Sequence, residues 1–236
     1  MPPHDLVGER PEVLDRAETD LGELVLRRCG DDLELISDGM FLMDTRDGRS
    51  ERAMVQRALE LGPPRPRVVI GGLGFGFSLA AAVASPAPSA IVVVEIHRQV
   101  IEWNRRHLPQ RTAECTADPR VRVERADVGE WLDRDDGPLD VLCLDTDNGP
   151  DWLTLPDNGE IYGRTRLHRL AGRLGQRGVV GFWSANRSPR FEAALREVFG
   201  DVSVHETPVA RGEPDVVYFA RHPRGGSEST SDPQGR

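Results

Sequence analysis

Lysine is absent from the 236-residue sequence, and arginine supplies all of its 30 permanently basic side chains. Without a lysine amine there is no Schiff-base chemistry and no pyridoxal phosphate enzyme, and a P-loop, which needs its lysine, is excluded. Cysteine is scarce: Cys29, Cys115 and Cys143 stand apart, with no Cys-x-x-Cys spacing. That odd, scattered set, with no apolar leader, leads us to expect a reducing, cytoplasmic setting. Metal-ligand spacing is missing among the six histidines, and there is no Cys-His cluster, so no metal is expected. Nor is there a Gly-x-Ser-x-Gly elbow to support a serine hydrolase. No apolar run is long enough to span a bilayer, so no membrane partner is expected. The net charge of −9, without a basic cluster, argues against nucleic acid and would attract a cationic small molecule. The same charge also serves solubility.

What is present centres on Arg67 to Phe77, an apolar strand that ends in Gly71-Gly72-Leu-Gly74-Phe-Gly76 and then opens a helix. Glycines let a backbone turn sharply and approach a ligand closely, although glycines alone equally serve a plain strand-to-helix turn. Context favours a bound nucleoside. A second apolar strand, Ala90 to Val94, ends in Glu95, roughly 20 residues past the glycines, where a carboxylate suits two ribose hydroxyls.

In chain order, residues 1–20 read as a flexible N-terminus and residues 21–62 as a small β-meander followed by a helix. Cys29-Gly-Asp-Asp and Asp38-Gly39 supply the tight turns, and Ser50 the helix cap. From residue 63 to 222 strands alternate with helices: strand 67–71, helix 76–84, strand 90–95, helix 97–108, strand 121–125, helix 128–133, strand 139–145, helix 164–174, strand 179–183 and helix 189–199. Segments 202–206 and 216–220 close the chain as an antiparallel pair. The pattern predicts an α/β, Rossmann-like domain: a mainly parallel sheet with helices on both faces, an antiparallel last strand, and ligands beyond the carboxyl ends of the strands. Residues 223–236 are Gly/Ser/Asp-rich and read as a disordered tail.

The ordered set of motifs resembles the spermidine synthase-like (polyamine aminopropyltransferase-like) branch of the class I S-adenosylmethionine-dependent methyltransferase superfamily, over roughly Leu33 to Phe199. The segments that carry the resemblance are Asp38-Gly39 with the following helix, the glycine loop Gly71 to Gly76, Val94-Glu95-Ile96, Asp118 to Asp127, and Asp140 to Pro150. The resemblance implies a class I methyltransferase fold, S-adenosylmethionine or its decarboxylated form as co-substrate, a small cationic acceptor, and a homodimer. It also implies site roles. Gly71, Gly72, Gly74 and Gly76 would hold the amino-acid end of the nucleoside, Glu95-Ile96 the ribose, and Asp127-Val128 the adenine. Asp127 reads equally as a helix cap, and the two roles are compatible. Asp145 is the candidate base that orients an attacking amine and accepts its proton, with Asp147 a second candidate of the same kind. A turn-forming role with Asn148-Gly149 is the alternative for Asp145.

Residues 151–162 form a long connection of the kind that often acts as a lid, in which Trp152 and Tyr162 would wall the acceptor pocket beside Asn148, or else pack into the core. Glu51 reads first as part of a solvated helix face and second as a group reaching the mouth of the site. Trp103, Trp131 and Trp183 read as structural.

The departures from the family pattern matter as much. The aspartate usual inside the glycine loop is Gly74, the second acid of the catalytic loop is Asn148, a hairpin glutamine is Leu42, and Tyr-His-Glu of the first helix is Glu51-Arg52-Ala53. Loss of acids that hold cationic amines fits a donor that keeps its own carboxylate. A methyltransferase using intact S-adenosylmethionine is therefore placed ahead of an aminopropyltransferase using the decarboxylated donor and a diamine. A non-catalytic nucleoside-binding relative is the third reading. A nicotinamide enzyme ranks lower, because the glycines do not follow Gly-x-Gly-x-x-Gly.

Overall fold

The computed structural model describes residues 11–108, 112, 114–134, 137, 139–146, 148–151, 159–210 and 212–224. The chain opens with four antiparallel strands in sequential order: β1 (Glu12–Thr19), β2 (Gly22–Cys29), β3 (Asp32–Ser37) and β4 (Met40–Asp44). The first of these corrects the expectation of flexibility up to residue 20. β1 pairs with β2 from Glu12 opposite Arg28 to Thr19 opposite Gly22, with a register shift between Val13 and Asp15. That irregularity breaks the alternation that would have marked it as a strand. Asp15 ties it down by accepting the Trp103 indole N–H at 2.9 Å.

Helix α1 (Arg49–Leu61) buries Met54, Val55 and Ala58, an apolar stripe at helical spacing. Ser50 is not its cap. Gly48 holds that position without a side-chain hydrogen bond, and Ser50 lies inside the first turn, buried.

There follow β5 (Arg67–Gly71), α2 (Phe77–Ala84), β6 (Ala90–Glu95), α3 (Arg98–His107), a short α4 (Glu114–Ala117), β7 (Val121–Arg125), α5 (Val128–Arg134) and β8 (Leu139–Leu144). The chain closes with α6 (Arg164–Arg173), β9 (Leu174–Ser184), α7 (Pro189–Val198), β10 (Phe199–Thr207) and β11 (Asp215–Pro223). The seven-stranded sheet has the order β10-β11-β9-β8-β5-β6-β7. Strands β7, β6, β5, β8 and β9 run parallel, whereas β11 is antiparallel to both of its neighbours. The central strands carry apolar residues on both faces, as a sheet covered on two sides requires. Val68, Ile70, Ile91 and Phe219 pack on one side, with α1 to α3, and Val69, Leu142, Phe182 and Tyr218 pack on the other.

Two features of this sheet position the site. The strand order reverses at β5, which leaves a crevice at the carboxyl ends of β5 and β8. Because β11 is antiparallel, its first residues lie where the parallel strands end: Val216 pairs with Ser184, the last residue of β9. Asp215 therefore stands on the same edge as Glu95 and Asp145.

Candidate functional site

A cleft of about 610 Å³ opens over that edge, between the seven-stranded sheet and the N-terminal strands. One half of it is built on the turn after β5. Gly72 has φ +91°, and a Cβ there would lie 2.2 Å from the Asp145 carbonyl oxygen, so only glycine lets this turn touch the end of β8. The Gly72 N–H donates to the Val94 carbonyl at 2.8 Å. The Glu95 carboxylate then locks the loop: Oε2 accepts the Leu73 N–H at 2.9 Å and Oε1 the His97 N–H at 2.8 Å. Burial raises its pKa, and the backbone N–H groups oppose that shift. The backbone N–H groups of Gly74 and Ile96 act on the same carboxylate.

Gly72, Gly74, Glu95, Ile96, Asp127 and Val128 all line the cleft, whereas Gly71 and Gly76 shape the turn behind it. Gly71 packs against Leu144 and Val128, and Gly76 is the left-handed N-cap of α2. Asp127 accepts the Glu130 N–H at 2.8 Å, so it caps α5 from a position on the cleft wall.

The other half gathers residues distant in sequence. Asp145 receives the Ser78 hydroxyl at 3.4 Å, and its pKa is raised well above the usual carboxylate range, by burial first and the nearby Glu51 charge second. Glu51 is 8% exposed, which overturns the solvated-face reading. Its position was legible, since Glu51 precedes Met54 and Val55 by three and four residues and so shares their buried face. Burial raises the Glu51 pKa, and it does the same to Asp215. Ser50 bridges these two acids, at 2.8 Å from Glu51 and 2.7 Å from Asp215. Trp183, expected to be structural, lines the cleft and donates its indole N–H to Ser50 at 3.0 Å.

Sequence reasoning missed Asp215. The available signal was its place as the first residue of an antiparallel closing strand. Asn148 lines the cleft, and its carbonyl accepts the Ala185 N–H at 3.0 Å. Tyr162 is absent from the cleft wall. It is 8% exposed and packs on Phe182 and Phe191, with ring centroids at 6.2 and 5.4 Å, in the core on the other side of the sheet. Asp147 and Trp152 lie outside the described residues.

Across the cleft, the wall formed by Leu35, Phe41, Leu42 and Met43 is apolar. Met43 covers Gly74: a Cβ there would meet its Sδ at 2.7 Å. Arg46 is the one arginine among the described residues lining the cleft, and Glu34 at 2.6 Å, Asp32 at 3.5 Å and Asp44 already engage it.

Neither protein-family models nor curated proteins match this sequence. Solved structures do. A spermidine synthase crystallised in complex with the transition state analogue AdoDATO superposes with a TM-score of 0.76 at 20% identity, covering 91% of this chain and 74% of that one. Spermidine synthase from Thermotoga maritima gives a TM-score of 0.73 at 17% identity, covering 91% and 73%. With the glycine turn, the strand order and the separate N-terminal sheet all in place, the chain has the spermidine synthase-like form of the class I S-adenosylmethionine-dependent methyltransferase fold.

Proposed function

We propose that the protein is a transferase of the aminopropyltransferase class, moving an alkyl group from an adenosyl sulfonium to a small aliphatic amine. The observation that carries this reading is the convergence of Glu51, Asp145 and Asp215 in one cleft. Among the described residues none of the three has an ion-pair partner. Glu51 is buried and Asp145 and Asp215 are half-buried; carboxylates crowded together in this way without an ion-pair partner are unfavourable, and an ammonium relieves them. A diamine is such a ligand.

In this reading the glycine turn, Glu95 and Asp127 hold the nucleoside, and the amine enters over Asp145. The nitrogen lone pair attacks the carbon attached to the sulfonium, the carbon–sulfur pair returns to sulfur as a neutral thioether, and Asp145 takes the proton that the new ammonium sheds. A raised pKa suits a carboxylate to that role. Alignment of nitrogen, carbon and sulfur supplies the rest.

The cleft also bears on the donor. With Arg46 engaged by acids, the described lining of the cleft offers no further arginine to receive a donor carboxylate, and the nearby acids repel one. That favours the decarboxylated donor over intact S-adenosylmethionine and reverses the order inferred from the missing acid at Gly74. The methyl-transfer reading keeps one supporting observation, Met43 standing over Gly74 where an acid would hold the donor's ammonium. Incubation with each donor and a diamine panel separates the two. Aminopropyl transfer releases methylthioadenosine, methyl transfer releases S-adenosylhomocysteine, and neither product on any amine would sink both.

A further inference from the structure

Ser50 poses a hydrogen-counting problem. Its Oγ lies 2.8 Å from Glu51 Oε2, 2.7 Å from Asp215 Oδ2 and 3.0 Å from the Trp183 indole nitrogen. An indole N–H only donates, and an ionised carboxylate only accepts. The serine hydroxyl carries one hydrogen, so it can satisfy one carboxylate. Were both acids ionised, the second oxygen pair would face lone pair to lone pair inside hydrogen-bond distance, in a site where Ser50 is 3% exposed. A single added proton resolves every contact. Trp183 donates to Ser50, one acid donates its O–H to Ser50, and Ser50 donates to the other acid.

The surrounding charges do not remove the need for that proton. Asp145, just past the end of β8, adds repulsion to Glu51, as Asp47 does for Asp215. The two cations that act on the pair are committed elsewhere: Arg49 binds Asp47 at 2.7 Å, and Arg52 stacks on the Phe77 ring at 4.9 Å.

We propose that Glu51 and Asp215 share one proton across Ser50, and that the second ammonium of a diamine acceptor, the one not undergoing alkylation, displaces this proton to solvent on binding. The displacement rests on the functional reading above, whereas the shared proton does not. Only an O–H bond breaks, and the ammonium charge replaces that of the departing proton. The pair thus acts as an acceptor-length gauge: Asp145 marks the reacting nitrogen, and the Ser50 bridge marks the far one.

Infrared spectroscopy of the unliganded protein tests the shared proton directly. Asp145→Asn is used as the background, so that Asp145 cannot contribute. Near neutral pH it should show a protonated-carboxyl stretch that is lost on adding either Glu51→Gln or Asp215→Asn. Absence of such a stretch would overturn the proposal. Calorimetry of putrescine with the unmodified protein, in two buffers of different ionisation enthalpy, tests the displacement and is independent of how the variants fold. About one proton should be released per diamine bound near pH 7. Butylamine, with a single ammonium, should bind more weakly and leave the proton in place. Diamine binding without proton release refutes the displacement. If the nucleoside binds, the stretch is present and no amine binds, the displacement falls together with the acceptor reading, while the proton-sharing pair stands.

Discussion

The two halves of the cleft are built on opposite principles. In the half proposed to hold the nucleoside, here called the nucleoside half, the acid is satisfied by the protein itself: Glu95 takes backbone N–H groups of Leu73 and His97, and Asp127 takes that of Glu130. In the half proposed to hold the amine, here called the amine half, the acids have hydroxyl contacts but no ion-pair partner among the described residues. The first half is pre-organised, and binding adds contacts to a finished framework. The second stores repulsion, and binding relieves it. Substitutions should therefore have opposite consequences for stability on the two sides.

The largest effect is expected at the base. Asp145→Asn keeps the shape and removes the proton acceptor, which should lower kcat by roughly 10²- to 10⁴-fold. Nucleoside affinity should stay within a few-fold, because the glycine turn is held by Glu95. Titration calorimetry alongside steady-state kinetics makes the comparison, and a proportionate loss of nucleoside binding would show that the halves are not separable. Glu95→Gln is the converse. The amide cannot accept at both ends as the carboxylate does, so the loop loosens, at a cost of about 1–3 kcal/mol in folding stability. Nucleoside affinity should fall with it.

Next in size is the response of the unliganded protein to pH. Glu51, Asp145 and Asp215 all have folded-state pKa values raised by burial. Between the ordinary carboxylate range and those raised values the folded state holds more protons than the unfolded chain. Stability is then greatest on the acid side and declines as the pH climbs through the folded pKa values. His97 and His107, whose pKa values burial lowers, act in the opposite direction, so the readout is the difference from Asp215→Asn: relative to that variant, the urea midpoint of the unmodified protein should fall from about pH 5 to pH 8, and a bound diamine should flatten the difference. Asp215→Asn should stabilise the unliganded protein at the upper end of that range. A difference between the two proteins that does not change with pH would mean that the amine half stores no repulsion.

The same contrast explains what the sequence made visible. The nucleoside half is written at the ends of consecutive strands, so Gly72, Gly74, Glu95 and Asp127 fall at spacings that local pattern reveals. Its strands were equally plain, because central parallel strands are continuous apolar runs. The amine half joins residues 50, 51, 145, 183 and 215 from five separate segments, and no spacing encodes that meeting. Helical phase placed Glu51 on the buried face, but its charge argued for solvent. The antiparallel closing strand was expected from residue 216, but only the pairing of β11 with β9 brings its first residue, Asp215, to the edge that holds Asp145. β1 was obscured by its irregular register, and Ser50 by its likeness to a cap.

The smallest expected effect concerns where the halves meet, at Gly74. A carboxylate introduced there would extend the amine half's chemistry toward the donor's tail. Its φ of +48° is left-handed, a conformation that aspartate tolerates better than most side chains, and the clash is with the flexible end of Met43 rather than with backbone. Gly74→Asp combined with Met43→Ala removes that clash. An ammonium at the donor's tail then gains a partner, and an intact donor's carboxylate gains a repulsion. The ratio of kcat/KM for the decarboxylated donor over intact S-adenosylmethionine should rise about tenfold, or ~1.4 kcal/mol. Glu51→Gln should move that ratio less, because its bridge to Asp215 commits it to the acceptor. If both variants leave the ratio unchanged, donor choice is not set by the charge beside the glycine turn, and the division of the cleft into a satisfied half and a charged half does not extend to the donor's tail.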